Sequence, residues 1–323
     1  MYNFSQLIEQ VNKSIANIDY PHQPEGLYEP IQYVLSLGGK RIRPVFMLLA
    51  SQLYDADLAK IMPAAVGLEV YHNYTLLHDD LMDRADMRRG KLTVHKKWND
   101  NTAILSGDTM LVMACNMILS VRQQNTDAMN VFVKTALEIG EGQQFDMNFE
   151  TRQDVTTDEY IKMIRLKTSV LIGCATKMGA ILANAPKEDI DKLYDLGEKV
   201  GLAFQLQDDL LDVYGDPKVF GKRIGGDILC NKKTFMLINA LLLSNDSQRK
   251  ELQKWLDAKE YDEQEKINAI TAIYNELNIR EVATNIINKY FDEAKKVYNS
   301  LNVPEEKKAL LWDFVKTLVN REV

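Results

Sequence analysis

Two aspartate motifs contain the residues whose types and spacing are best suited to chemistry. They are Asp79–Asp83, which reads DDLMD, and Asp208–Asp212, which reads DDLLD. On an α-helix, the first and last aspartates of each motif lie on one face, where close carboxylates repel one another unless a cation lies among them. Oxygen ligands suit Mg2+, whose coordination shell is usually completed by water and substrate phosphates. The motifs therefore predict two carboxylate clusters that bind a phosphorylated ligand through Mg2+.

Polar residues stand beside both motifs. At about 100° per residue, His72 lies on the same narrow stripe as Asp79 and Asp83, with Asp80 to one side. A lone histidine on a helix is usually a core or surface residue, but this alignment favours a ligand contact. Gln205 falls within about a 100° arc that also contains the second motif, on a helix that is otherwise apolar. A polar arc in such a helix is not explained by packing.

Positive charge is concentrated in four short segments, although the net charge of the chain is −7. The negative total argues against a nucleic-acid-binding protein. A solvated basic face is the commoner explanation of a Lys/Arg pair, but two of the segments directly follow the aspartate motifs, which favours phosphate contacts. The segments are Lys40-Arg41-Arg43, Arg84-Arg88-Arg89-Lys91, Lys222-Arg223 and Lys232-Lys233.

Length and composition indicate an ordinary globular protein of one large or two smaller domains. The chain has 323 residues, of which 46% are apolar and 26% charged. We see neither an apolar run of membrane-spanning length nor a secretory signal, so no transmembrane segment is expected. The three cysteines, Cys115, Cys174 and Cys230, match no zinc or disulfide pattern, which favours a cytoplasmic protein with reduced thiols.

The elements that position the motifs are predicted to be helices. No proline occurs between Pro63 and Pro186 or between Pro217 and Pro304, and apolar residues recur every three or four positions. This pattern predicts an all-α protein of roughly ten or more helices, without a linker, as a single domain over residues 1–323.

Helix signals place the boundaries near the motifs. Pro63 is predicted at the first position of a helix that ends near Asp83, and Asp158 is predicted to cap a helix that contains Lys167 and Thr168. A further helix is expected from Pro186 to about Val213. The charged segment 84–91 is predicted to be a mobile lid or loop, and the glycine-rich segment 215–226 is predicted to be flexible enough to close over a ligand.

Taken in order, these motifs resemble the trans-isoprenyl diphosphate synthases, also called polyprenyl synthetases. One aspartate motif alone is a weak signal, but two that are followed by basic partners are specific. The resemblance spans about residues 38 to 235. It rests on Gly39-Lys40, Arg43-Pro44, His72, the two aspartate motifs, Arg88-Arg89-Gly90, Gly142-Gln143, Asp146, Lys167-Thr168, Phe204-Gln205, Gly221-Lys222 and Lys232.

The resemblance implies a fold and a set of residue roles. The fold would be a single-domain antiparallel helical bundle of the isoprenoid synthase type around a deep central cavity, usually a homodimer. About three Mg2+ ions would be held on an allylic diphosphate by Asp79, Asp80, Asp83, Asp208, Asp209 and Asp212. Arg88, Lys167, Gln205, Lys222 and Lys232 would assist there. Lys40, Arg43, His72 and Arg89 would bind isopentenyl diphosphate.

The resemblance also implies the reaction. The allylic C–O bond would ionise, the double bond of isopentenyl diphosphate would attack the cation head to tail, and a proton would then be lost. Preorganised cations stabilise the charge that grows on the leaving oxygens, and the departed diphosphate is a plausible base. Thr168 and Gln205 would neighbour the allylic cation.

Product length depends on residues that precede the first motif. In the family, bulk at the positions four, five and eight before it limits the chain, and here these are Thr75, Tyr74 and Tyr71. Two aromatic residues predict a C15 or C20 product. Tyr74 points about 140° away from Asp79, toward a neighbouring helix, for which the helix with Met113 and Met117 is a candidate. The first motif lacks the two-residue insertion that is common in bacterial farnesyl diphosphate synthases, and this spacing together with Tyr74 predicts farnesyl and geranylgeranyl products about equally.

The two alternatives are an enzyme with a related fold and a non-catalytic protein. A class I terpene cyclase shares the bundle and the first aspartate motif, but it would ordinarily lack the second DDxxD motif and the basic isopentenyl pocket. A non-catalytic partner subunit of a heteromeric prenyl synthase would be expected to lose aspartates or arginines, and none is missing here. Both alternatives are therefore disfavoured.

Overall fold

Helices provide almost all of the regular structure. The computed structural model describes residues 1–121, 125–216 and 224–319. Within these ranges the strands form one antiparallel hairpin, in which β1 (Met87–Arg88) pairs with β2 (Lys91–Leu92). The predicted all-α class is therefore confirmed.

The helices have the following bounds along the chain. They are α1 Phe4–Ala16, α2 Glu25–Ser36, α3 Ile42–Gln52, α4 Leu58–Met82, α5 Val94–Lys97, α6 Asp100–Leu119, α7 Asn125–Thr151, α8 Thr157–Ile164, α9 Val170–Leu182, α10 Lys187–Tyr214, α11 Gly226–Leu229, α12 Phe235–Leu243, α13 Asp246–Asp257, α14 Glu263–Glu276, α15 Ile279–Asn299 and α16 Glu305–Val319. A π-helical turn, Arg165–Ser169, connects α8 to α9.

The chain groups into two compact units. The first consists of Met1–Val133, Cys174–Tyr194 and Asn302–Leu311, and the second consists of Lys134–Gly173, Asp195–Leu301 and Trp312–Val323. The first aspartate motif belongs to the first unit and the second motif to the second unit. The single domain and the central cavity expected from the sequence stay predictions.

In the first unit, α4 packs against α1, α3 and α6. Apolar residues occur on every side of α4, as is typical of a helix surrounded by neighbours. Every residue of α3 except Arg43 is buried, whereas α1 buries a single stripe formed by Leu7, Val11 and Ile15. Arg43 is thus the α3 residue that this packing leaves partly exposed.

In the second unit, α10 is packed among α8, α12, α14 and α15. The apolar cluster includes Tyr160 of α8, Leu206 and Leu210 of α10, and Phe235 of α12. This packing buries the apolar side of the helix that carries the second motif, and it brings Tyr160 onto α10 close to the aspartates.

Three local predictions from the sequence are wrong or incomplete. Helix α4 begins at Leu58, capped by the Asp57 carboxylate, so Pro63 lies inside the helix. The cap satisfies an N–H group of the first turn, while a proline in the second turn removes only one intrahelical hydrogen bond. Thr156, which forms a capping box with Glu159, caps α8 in place of Asp158. The segment predicted as a mobile lid or loop contains the β1–β2 hairpin, and its mobility stays a prediction.

The sequence predicts no segment that could span a membrane, and α6 is an exception to this prediction. By length and composition it is long and apolar enough to do so, and 33% of its most apolar window is buried within the chain. The core helices of globular proteins meet the same criterion. Several of its apolar side chains are nevertheless exposed.

Gly179 permits a close approach of α9 to α3 in the first unit. A Cβ atom at this position would lie 2.2 Å from the Met47 carbonyl oxygen. The Ser51 hydroxyl donates to the carbonyl oxygens of Met47 at 2.8 Å and Gly179 at 3.1 Å, which ties the two helices together at this point.

Gly179→Ala should therefore reduce the free energy of unfolding by about 1–3 kcal/mol, because the added methyl group forces the helices apart. Gly140→Ala is the matched control, since a Cβ there meets nothing within 4 Å. It should be neutral or stabilising by about 0.5–1 kcal/mol. Denaturant titrations measure both variants, and equal effects would contradict the packing argument.

Candidate active site

Both aspartate motifs lie at the C-terminal ends of long helices. Helix α4 ends at Met82 with Asp83 as its C-cap, and α10 ends at Tyr214, two residues after Asp212. A helix C-terminus carries partial negative charge, which adds to that of the carboxylates, and neither helix has a basic residue in its last turn. Both helix ends therefore attract cations.

In the first motif, Asp80 differs from its neighbours. Asp79 is half-buried and Asp83 is exposed, whereas Asp80 is buried and its two oxygens accept from Nε of Arg88 at 2.8 and 2.7 Å. Burial raises the pKa of Asp80, and the Arg88 guanidinium counteracts this shift. Because Arg88 lies on β1, the hairpin places a positive charge beside the motif.

A second group in the same unit is cationic. We name it the arginine cluster: Arg41, Arg43, Arg88 and Arg89 around His72. Burial lowers the pKa of His72 well below its usual value, and the four guanidinium groups lower it further. The neutral imidazole accepts a hydrogen bond at Nε2 from Arg43 Nη1 at 3.1 Å. The cluster thus contains four guanidinium groups, with Glu69 and Asp80 as the neighbouring carboxylates.

Glycine allows Arg89 to reach the segment that precedes α3. The Arg89 guanidinium donates to the Gly38 carbonyl oxygen. A Cβ on Gly39, whose φ is +149°, would lie 3.0 Å from Arg89 Nη2, so a side chain there would push the guanidinium aside. Lys40 follows at once and is exposed. Lys40, Arg43, His72 and Arg89, predicted as one pocket, therefore belong to one unit, and contacts join His72 to Arg43 and Arg89 to Gly38.

In the second motif, Asp209 and Asp212 accept hydrogen bonds from other residues of the unit. Asp209 is buried and accepts from the Tyr160 hydroxyl and from Gln205 Nε2 at 3.1 Å. Burial raises the pKa of Asp209 to about 7, and Asp227 adds to the increase. Asp212 accepts from the backbone N–H of Asp227 at 2.9 Å, at the start of α11. Asp208 is half-buried beside them.

The π-helical turn carries Lys167 and Thr168. Lys167 Nζ lies 2.6 Å from Asp146 Oδ2, and the Thr168 hydroxyl donates to Gln205 Oε1 at 3.1 Å. Gly142 permits this arrangement, since a Cβ there would lie 2.4 Å from the Lys167 nitrogen. Thr168, Gln205 and Asp209 consequently form one hydrogen-bonded chain in the second unit.

The remaining predicted residues are the two lysines that follow the second motif. Lys232 is exposed, and its charge lowers the pKa of Asp209. Lys222 lies outside the described residues.

Sequence reasoning did not assign a role to Tyr160, Asp146, Glu69 or Asp227. A signal existed for Glu69, a lone carboxylate in an apolar stretch three residues before His72, because a buried charge needs a partner. Tyr160 and Asp227 are partners of the second motif from other elements, and the spacing within a single helix cannot reveal them.

The carboxylate oxygens of the two motifs suit a hard divalent cation whose remaining coordination positions are filled by water and by the bound substrate. Among residues 1–121, 125–216 and 224–319, no three His, Cys, Asp or Glu side chains form a group that could hold a metal alone. Mg2+ requires few protein carboxylates, since water and substrate phosphates supply its other oxygens. The aspartates at the two helix ends fit this type of binding.

Comparison with known proteins identifies the family. The polyprenyl synthetase family matches residues 24–274. The chain belongs to the polyprenyl synthetase family. The resemblance inferred from the motifs is thereby confirmed, and the chain is a prenyltransferase of a family whose catalysis depends on a divalent metal.

Individual relatives span most of the chain. A geranylgeranyl diphosphate synthase of Methanosarcina mazei is 37% identical over 304 residues, which cover 93% of this chain and 91% of the relative. A geranylfarnesyl diphosphate synthase of Natronomonas pharaonis is 38% identical, with 72% and 74% covered. A crystal structure of a geranylgeranyl pyrophosphate synthase is similar with a TM-score of 0.93, 42% identity and complete coverage of both chains.

Tyr160→Phe should raise the divalent-cation concentration needed for half-maximal prenyltransferase activity. Without the hydroxyl, the buried Asp209 carboxylate loses a donor, and a hydrogen bond to a charged group contributes about 1.5–3 kcal/mol. We therefore expect about tenfold lower activity at limiting cation. Tyr261→Phe is the control, because that hydroxyl donates to the Leu229 carbonyl oxygen in the same unit. An identical cation dependence in all three proteins would contradict a role for Tyr160.

Proposed function

We propose that this polyprenyl synthetase condenses isopentenyl diphosphate head to tail with an allylic diphosphate, giving a trans-prenyl diphosphate of C15 to C20. The observation that carries the proposal is the pairing, in one unit, of an arginine cluster with a carboxylate motif at a helix C-terminus. The first group suits a diphosphate directly, and the second suits a diphosphate that brings divalent cations.

Arg43, His72 and Arg89 of the arginine cluster would hold isopentenyl diphosphate. Arg43 and Arg89 would donate to its oxygens together with the exposed Lys40. Burial lowers the pKa of Arg43 to about 10 and also lowers that of Arg89, but both groups remain charged at neutral pH. Partly dehydrated guanidinium groups bind phosphate strongly, since their donors match its oxygens in geometry.

The aspartate motifs would hold the allylic diphosphate. Asp79, Asp83 and Asp208, supported by Asp80, Asp209 and Asp212, would bind about three Mg2+ ions, the number that the resemblance implies. When bound, Mg2+ would neutralise the charge that develops on the leaving diphosphate. Arg88, Lys167, Lys222 and Lys232 would add hydrogen bonds to the same oxygens.

Thr168 and Gln205 would face the allylic cation. Their oxygens are joined by a hydrogen bond, and Gln205 is fixed in turn by Asp209, so their dipoles are oriented before ionisation. Preorganised dipoles need no rearrangement as the cation forms. The departing diphosphate would accept the proton that is lost after condensation.

Product length would be limited by aromatic residues of α4. Tyr71 is buried, with its ring 4.9 Å from that of Phe132 and 5.5 Å from that of Tyr74. The Tyr74 ring lies 4.8 Å from the His78 ring, and Asp108 of α6 raises the pKa of Tyr74 in addition to burial. Tyr74 thus neighbours α6, the helix that carries Met113 and Met117.

We further propose a cytoplasmic homodimer. On α6, three exposed apolar side chains are spaced seven apart, as at a helix–helix seam: Leu105, Val112 and Leu119, with exposures of 59%, 67% and 48%. A second copy that covers this stripe would remove apolar surface from water. This would also account for a helix of membrane-like composition in a protein that acts on water-soluble diphosphates.

Incubation with isopentenyl diphosphate, Mg2+ and dimethylallyl, geranyl or farnesyl diphosphate tests the reaction, with products identified by mass. The wild type should form prenyl diphosphates. Asp208→Ala should lose about a hundredfold or more of the rate. Asp195→Ala, on the same helix and paired with Lys199, should keep it. A wild type without product, or an active Asp208→Ala variant, would contradict the proposal.

Tyr74→Ala should lengthen the main product by at least one isoprene unit if Tyr74 forms the floor of the chain pocket. Removing the ring opens space beside Tyr71 and His78, into which a longer chain can grow. Mass spectrometry of the products compares the variant with the wild type, and Tyr33→Ala serves as the aromatic control outside this group. An unchanged product distribution would place the floor elsewhere.

A further inference from the structure

Arg41 lies in the middle of the basic segment that precedes α3, yet it is buried and does not face solvent. Its exposure is 4%. Its guanidinium donates through Nη1 to Glu69 Oε1 at 2.8 Å, through Nε to Asn12 Oδ1 at 2.8 Å and through Nη2 to the Leu35 carbonyl oxygen at 3.3 Å. The side chain is therefore occupied by α1, α2 and α4 rather than by a ligand.

The backbone of Arg41 is left-handed, with φ +50° and ψ +35°, and this residue is the N-cap of α3. Residues with a β-carbon rarely adopt this conformation, and it persists only where the surroundings enforce it. Here the three side-chain hydrogen bonds provide that constraint. The turn determines the direction in which Lys40 and Arg43, on either side of Arg41, leave the chain.

Glu69 is the centre of this arrangement. It is 2% exposed, its Oε1 also receives Asn73 Nδ2 at 3.5 Å, and its Oε2 has no hydrogen-bond partner. The carboxylate raises the pKa of both Arg43 and Arg89 against the lowering caused by burial. One buried negative charge thus acts on three guanidinium groups, of which that of Arg41 is buried, that of Arg43 is half-buried and that of Arg89 is exposed.

We propose that Glu69 is a positioning residue for the isopentenyl diphosphate pocket, acting through the left-handed turn at Arg41 and through its charge on Arg43 and Arg89. The inference rests on the proposed function, which assigns this pocket. Glu69 holds the cationic side chains in their binding arrangement before the diphosphate arrives. It does not itself contact the ligand, because a carboxylate and a diphosphate repel one another.

A positioning role and a purely electrostatic role of Glu69 predict opposite effects of its neutralisation on diphosphate affinity. If charge alone mattered, neutralising a carboxylate beside an anion site would strengthen diphosphate binding. If Glu69 positions the cluster, neutralising it weakens binding, since Arg41 loses its anchor and the guanidinium groups repel one another. Glu69→Gln retains the volume and an acceptor oxygen, so it separates these two cases.

Calorimetric titration of the full-length protein with isopentenyl diphosphate tests the role without turnover. Glu69→Gln should raise the Kd about tenfold, and Asn12→Ala, at an exposed position, should raise it about threefold, as expected for weakened hydrogen bonds. Steady-state kinetics should show the same increases in KM for isopentenyl diphosphate. The KM for the allylic substrate should change less than twofold.

The matched control is Asp189→Asn, which neutralises another fully buried carboxylate of the same unit. Asp189 contacts the Tyr54 hydroxyl and the Asn302 backbone N–H, neither of which belongs to the arginine cluster. It should lower thermal stability and leave the Kd unchanged. If Glu69→Gln does not fold, the Kd of Asn12→Ala for isopentenyl diphosphate tests the positioning role instead.

An unchanged or lower Kd in Glu69→Gln, or an equal increase in Asp189→Asn, would overturn the positioning role. Failure of the proposed function is distinguishable from this outcome. In that case the wild type forms no product from isopentenyl diphosphate and an allylic primer, whatever the variants bind.

Discussion

Negative charge concentrated at helix C-termini is the constraint on which the candidate site depends. The aspartates of both motifs lie where the helix dipole is already negative, and no basic residue of either last turn offsets it. Such an arrangement costs stability in the free protein. A ligand that brings divalent cations relieves this repulsion. Because no basic residue in the last turns neutralises the aspartates, they remain available to such cations.

The arginine cluster meets the opposite constraint in the same unit. Four guanidinium groups surround a neutral His72, and the neighbouring carboxylates Glu69 and Asp80 balance only part of their charge. In the proposed function, one diphosphate would therefore bind directly to side chains, and the other would bind through metal ions. The chemistry of the two sites would distinguish the two diphosphates, and the metal-bound one would be the allylic substrate that ionises.

Much of this could be predicted from the sequence, because it depends on spacing within single helices. The shared face of His72, Asp79 and Asp83 and the polar arc around Gln205 are of this kind, as is the helical fold. Partners from distant elements could not be predicted. Tyr160 lies 49 residues from Asp209, and Lys167 lies 21 residues from Asp146. The Asp57 cap sets the start of α4, whereas the Pro63 signal alone predicts a start that is too late.

The most direct test of the two-site account is calorimetric binding with and without divalent cations. Isopentenyl diphosphate and an unreactive thio analogue of an allylic diphosphate would be titrated separately into the wild type, first in Mg2+ and then in chelator. The account predicts that isopentenyl diphosphate binds with similar affinity in both conditions, whereas the allylic analogue binds only in Mg2+. Equal dependence of both ligands on Mg2+ would contradict it.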